Sequence, residues 1–140
     1  MIERSVIVGA DGRAKAYRPL PDEARIAAVV AGLEAYAAGD FFEAHELLEP
    51  AWMGSPDPAE RSLLQGLIKV AAADVHAVRG NPKGVRRNLD GARDRLRAGV
   101  GGTITGVTVD VDALLEAIDS RLAALGRGDD EPLRIGWRRR

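Results

Sequence analysis

A run of apolar residues at helical spacing, fenced at both ends, constrains this chain more than any other feature. Leu64, Leu67, Ile68, Ala71, Val75 and Val78 recur at intervals of three and four. That spacing puts them on one face of an α-helix and fits no strand, whose faces alternate every second residue. The run begins behind Asp57-Pro58-Ala59-Glu60, which supplies an N-cap, a proline for the first turn and a glutamate at capping-box spacing, and it stops at Gly80. Asn81-Pro82 then opens another helix with Val85, Leu89, Ala92 and Leu96 on its buried side.

The same start and stop signals recur along the chain. A first helix is expected from about Pro21 to Ala38, with Ile26, Val29, Val30, Leu33 and Ala37 as its stripe and Gly39 as its end. A second begins at Asp40, which stands three residues before Glu43 as in a capping box. A fifth follows Asp110, with Val111, Leu114, Leu115, Ile118, Leu122 and Leu125 inward, after a glycine-rich loop from Gly99 to Gly106. Five amphipathic helices on short connections predict an all-α fold, a five-helix up-and-down antiparallel bundle over residues 21–126. An extended N-terminal arm, residues 1–20, precedes it, and a polar C-terminal tail, residues 127–140, follows. In the arm Ile2, Val6 and Val8 alternate between Gly9, Gly12 and the chain start. A lesser alternative pairs the Val107–Val111 segment with that arm as a small sheet.

With 140 residues the chain supplies one domain with its own core. Its 20 basic and 21 acidic residues give a net charge of −1, so no overall field draws it to nucleic acid. The basic stretch Arg79 to Arg97 lacks interleaved aromatic residues and reads as a solvated face. Cysteine is absent, which removes disulfides, thiolate metal sites and a cysteine nucleophile. No apolar run resembles a signal peptide or a membrane span, so cytoplasmic residence is expected. Leu133, Ile135 and Trp137 stand out in the polar tail as docking residues. Together with the long stripes of the third and fifth helices they predict a homo-oligomer.

The candidate site lies in the second helix. Phe41, His45, Leu48 and Trp52 fall at i, i+4, i+7 and i+11, which predicts a buried His45 with Glu49 at the border of the same face. A buried ionisable pair is costly unless it is hydrogen-bonded, paired or metal-bound. His45-Glu46-Leu47-Leu48-Glu49 reads H-E-x-x-E, one change from the zinc-peptidase H-E-x-x-H. In that pattern His45 and Glu49, one turn apart, chelate a divalent ion and Glu46 acts as the catalytic base. A third ligand is then required. His76 is expected to lie too far along the third helix, leaving Gln65 or Glu34 as the expected source. Gln65 and Lys69 are expected to face the second helix and, with Trp52, complete a ligand-binding wall. Two readings stay open: a metal-dependent hydrolase, and a non-enzymatic binding or interaction bundle in which the His/Glu cluster is structural.

Phe42-Glu43-Ala44-His45-Glu46 with Glu49 and Trp52, then Leu64-Gln65-Gly66-Leu67-Ile68 and Gly80-Asn81-Pro82 with Gly84, resemble the family catalogued as domain of unknown function 309. The resemblance runs from about Asp40 to Leu96. It implies a small prokaryotic helical protein of a group sometimes labelled predicted metal-dependent hydrolases. The motif positions carry onto Glu43, His45, Glu46, Glu49, Trp52 and Gln65. Pro50 and Lys69 depart from the family pattern, Lys69 standing where an uncharged residue is more usual.

Overall fold

The computed structural model describes residues 6–8, 14–16, 18–127 and 131–140. These form an all-α bundle of five helices: α1 (Asp22–Ala37), α2 (Phe41–Gly54), α3 (Pro58–Val78), α4 (Pro82–Ala98) and α5 (Val111–Ala124). Residues 38–40, 55–57 and 79–81 are all that separate the first four helices. Connections so short return each helix alongside the one before it. Accordingly α1 packs on α2, α2 on α3 and, most extensively, α3 on α4, while α5 joins through α4.

Three of the expected caps are formed. Asp57 accepts from the Glu60 amide at 3.3 Å, Asn81 from Gly84 at 3.2 Å and Asp110 from Ala113 at 3.0 Å. Asp40 precedes α2 without a side-chain cap bond. Glu60 is buried, and its carboxylate is turned to other partners instead of closing a box.

Leu33, Leu48, Leu64, Leu67, Leu89, Leu96, Leu114 and Ile118 form the sealed centre of the core. Each such side chain contributes about 1.5–3 kcal/mol when removed from water. Two glycines of the family pattern permit the tight α3–α4 contact. A Cβ on Gly66 would stand 2.7 Å from Leu96 Cγ, and one on Gly84 would strike the His76 ring.

Two antiparallel ribbons accompany the helices in the chain: β1 (Val6–Val8) with β2 (Ala14–Ala16), and β3 (Val107–Val109) with β4 (Trp137–Arg139). The Val107 segment therefore pairs with the C-terminal tail, Val109 opposite Trp137, and not with the N-terminal arm. That arm pairs with itself; Ile2, Gly9 and Gly12 lie outside the described residues. Leu133, Ile135 and Trp137 do dock, but on the chain's own core. Their period of two turns all three to one side of an extended segment. Arg140 extends the ribbon, its amide bonding to Gly106 O at 2.9 Å and its guanidinium to Ile104 O at 2.7 Å.

Two buried charge networks bind these parts together. In the first, Arg25 of α1 is 3.4 Å from Glu60 of α3, and the same carboxylate accepts from Thr105 N at 3.1 Å and Thr105 Oγ1 at 2.8 Å. Arg25 also donates to Leu20 O at 2.8 Å. In the second, Asp74 of α3 receives Arg121 of α5 at 2.7 Å and the Tyr36 hydroxyl of α1 at 2.6 Å. Leu133 N in turn donates to the Tyr36 oxygen at 2.9 Å. One carboxylate thus holds α1, α3, α5 and the tail.

Burial, followed by the charge and hydrogen bond of Asp74, holds the Tyr36 hydroxyl pKa far above its ordinary value. The folded chain therefore keeps a proton that the unfolded chain releases above pH ~10. This stabilisation is complete below that pH and is lost as pH rises beyond it, by up to about 1.4 kcal/mol per unit. Tyr36→Phe is expected to be about 1 kcal/mol or more less stable at neutral pH. Its deficit against wild type should shrink above pH ~10. Urea melts on both sides of that pH check this, and a constant deficit would contradict it.

Candidate metal centre

α2 turns Ala44, Leu48, Ala51 and Trp52 into the core. The centre of its buried face falls on Ala44, one position before His45, and Gly32 of α1 approaches there against Leu48 and the Ala44 carbonyl. His45 is consequently not a core residue. Its side chain is 32% exposed and lies at the edge of the buried face, with Glu49 half-buried and Glu46 exposed.

The helix gathers these three residues. One ligand atom from each of His45, Glu46 and Glu49 lies within 4.8 Å of the other two. Donors on opposite sides of one divalent ion are at most ~4.3 Å apart, given bonds of ~2.0–2.2 Å. The cluster thus reaches that size with a contraction of about half an ångström, within the range of carboxylate rotamers. Glu46 does not point away from His45, as a one-residue rotation suggests: its carboxylate is 3.4 Å from His45 Nδ1. Nδ1 itself is shielded from solvent and has no hydrogen-bond partner among the described residues. Two carboxylates beside one imidazole make a cation-attracting, oxygen-rich set, and Glu46 stands in it as a third potential donor from within the motif.

The other expected site residues each have their own surroundings. Lys69 lies over Gly91 of α4, where burial lowers its pKa, with a further lowering from Arg95 partly offset by Asp94. Its side chain faces α4, not α2. Gln65 is buried, and its Nε2 finds no acceptor among the described residues. Trp52 is itself a core residue. His76 is held at α4: its Nδ1 is 3.0 Å from Asn81 Nδ2, while Asn81 Oδ1 is engaged by the Gly84 amide. The Asn81 amide group is thereby oriented to donate, so His76 Nδ1 accepts. Glu43 lies in the first turn of α2, on the wall of a surface groove.

The most deeply buried charges, Asp74, Glu60, Arg25 and Arg121, were not expected from the sequence. Asp74 carries a local signal, an acid directly after Val70-Ala71-Ala72-Ala73 in the apolar part of α3. Among the described residues no helix is long and apolar enough to cross a membrane.

No curated protein and no solved structure gives a significant match to the chain. A family profile does match. Residues 29–88, from the middle of α1 to the middle of α4 and including the His/Glu cluster, fit the family described as Domain of unknown function (DUF309). Through this segment the chain is similar to the DUF309 family.

Proposed function

We propose that His45, Glu46 and Glu49 form a divalent-metal site and that the protein uses it for hydrolysis. The observation that carries this reading is the convergence of three donors within 4.8 Å at a partly exposed helix edge. A divalent ion held there would supply Lewis acidity and lower the pKa of a coordinated water. His45 and Glu49 are the inner donors, one helical turn apart. Glu46, the outermost at 54% exposed, can complete the set or accept a proton from water on the solvent side.

Calorimetric titration with zinc or manganese tests the site. His45→Ala and Glu49→Ala are each expected to weaken binding by about 100-fold or more, having lost one of the two inner donors. Glu46→Gln is expected to retain most of the binding while lowering turnover of activated ester and phosphoester substrates by about 10²-fold or more. Wild-type affinity in the double variant His45→Ala/Glu49→Ala would remove the hydrolase reading. Tight binding without turnover would favour a metal- or ligand-binding module.

A further inference from the structure

The start of α2 and the end of α3 form a groove of about 810 Å³ that the metal site does not use. Phe41, Phe42, Val75 and Val78 give it an apolar floor. Phe42 is 62% and Val78 75% exposed, two of the three exposed large apolar residues among those described. Their concentration in one place distinguishes the groove from the scattered apolar exposure of an ordinary surface. The charges flanking this floor are segregated. Asp40 and Glu43 stand on the α2 wall, and Arg79 stands on the α3 wall. None of the three is in an ion pair among the described residues.

A small ligand is a poor occupant. Sites for such molecules bury ~70–90% of the ligand surface, whereas this groove is open and its largest side chain is itself mostly exposed. A macromolecular surface covers it better, and the charge layout specifies which. About a two-fold axis the same patch meets itself, so that residue i contacts j and j contacts i. A floor of apolar residues with acid on one wall and base on the other is complementary to itself under that operation. In such a pair Arg79 of one protomer would meet Glu43 of its partner, twice, and Phe42 and Val78 would be covered between them.

We propose that this groove is the face on which two copies of the chain associate. The test exploits the two-fold symmetry. Sedimentation equilibrium across micromolar concentrations is expected to give twice the chain mass for the wild type. Arg79→Glu and Glu43→Arg each turn both cross-contacts into like-charge pairs, and each is expected to weaken association at least about tenfold. Mixing the two variants restores both contacts, so the mixture is expected to form heterodimers at near wild-type affinity. Phe42→Ser, which changes no charge, is expected to weaken association too and keeps the test open should a charge variant fold poorly by circular dichroism. A monomeric wild type, whether or not an apolar dye fills the groove, would overturn the proposal. So would variants that dimerise as tightly as wild type, or a mixture that stays monomeric.

Discussion

Asp74→Ala is expected to destabilise the fold by about 3–5 kcal/mol, the largest loss for any single polar residue described above. The cost comes from what is left behind. The Arg121 side chain is only 3% exposed, and without Asp74 its charge has no counter-ion while Tyr36 loses the acceptor of its hydroxyl. Even with Asp74 present, Arg121 Nε and Nη1 have no hydrogen-bond acceptor among the described residues. The pair therefore begins under-compensated, and removing both charges should cost far less than removing one. Asp74→Leu combined with Arg121→Met is expected to recover most of the loss. Urea denaturation of the single and double variants reads the difference. A loss below about 1 kcal/mol for Asp74→Ala would mean that the guanidinium reaches solvent or another acceptor when its partner is gone.

Glu60→Ala is the second large effect, expected at about 2–4 kcal/mol. It removes the acceptor for both Thr105 N and Thr105 Oγ1 and the carboxylate beside Arg25. The loss should be smaller than at Asp74, because Arg25 keeps Leu20 O, Thr105 Oγ1 and Asp22 as partners. Its signature is local as well as global: the Thr105 amide, now without its acceptor, should exchange with deuterium much faster than in wild type. Glu60→Gln retains one acceptor oxygen and is expected to fall between the two. Equal Thr105 exchange in wild type and Glu60→Ala would show that the loop is held by something other than this carboxylate.

These two residues also mark the limit of what a single sequence conveys. The helices were legible because their boundaries are written in local chemistry: Asp57-Pro58, Gly80-Asn81-Pro82 and Asp110 act on backbone groups within three or four residues of themselves. Asp74 and Glu60 are decided by partners on other helices, and an acid on a helix is usually solvated, so neither presents itself as a network centre. His45 was displaced from its expected place for a different reason. Phe41 and Trp52 dominate an apolar pattern by size, yet the closest face of α2 is built on Ala44 and Ala51, whose small side chains weigh little in the pattern and allow α1 to approach. The His/Glu cluster was half visible. The i, i+4 spacing of His45 and Glu49 follows from the helix, whereas the approach of Glu46 depends on a side-chain rotamer that spacing does not determine. The tail ribbon was missed because a three-residue strand is too short to show a period.

The distribution of contacts along the chain bears on the order in which the fold assembles. Three-residue turns make the α1–α4 contacts nearly local, and topologies rich in such contacts form fast. The Tyr36–Leu133 bond, by contrast, closes a separation of 97 residues, and the β3–β4 ribbon depends on the same return of the chain. Loop-closure entropy opposes those steps until the helices are already in place to reward them. The helical hairpins are thus the early structure, and the ribbon is the late clasp. Since that clasp covers Tyr36 and the carboxylate behind it, brief openings of the native molecule would first admit water there. Resistance to transient unfolding is therefore expected to be set at the C-terminal ribbon rather than within the helices that make up most of the mass.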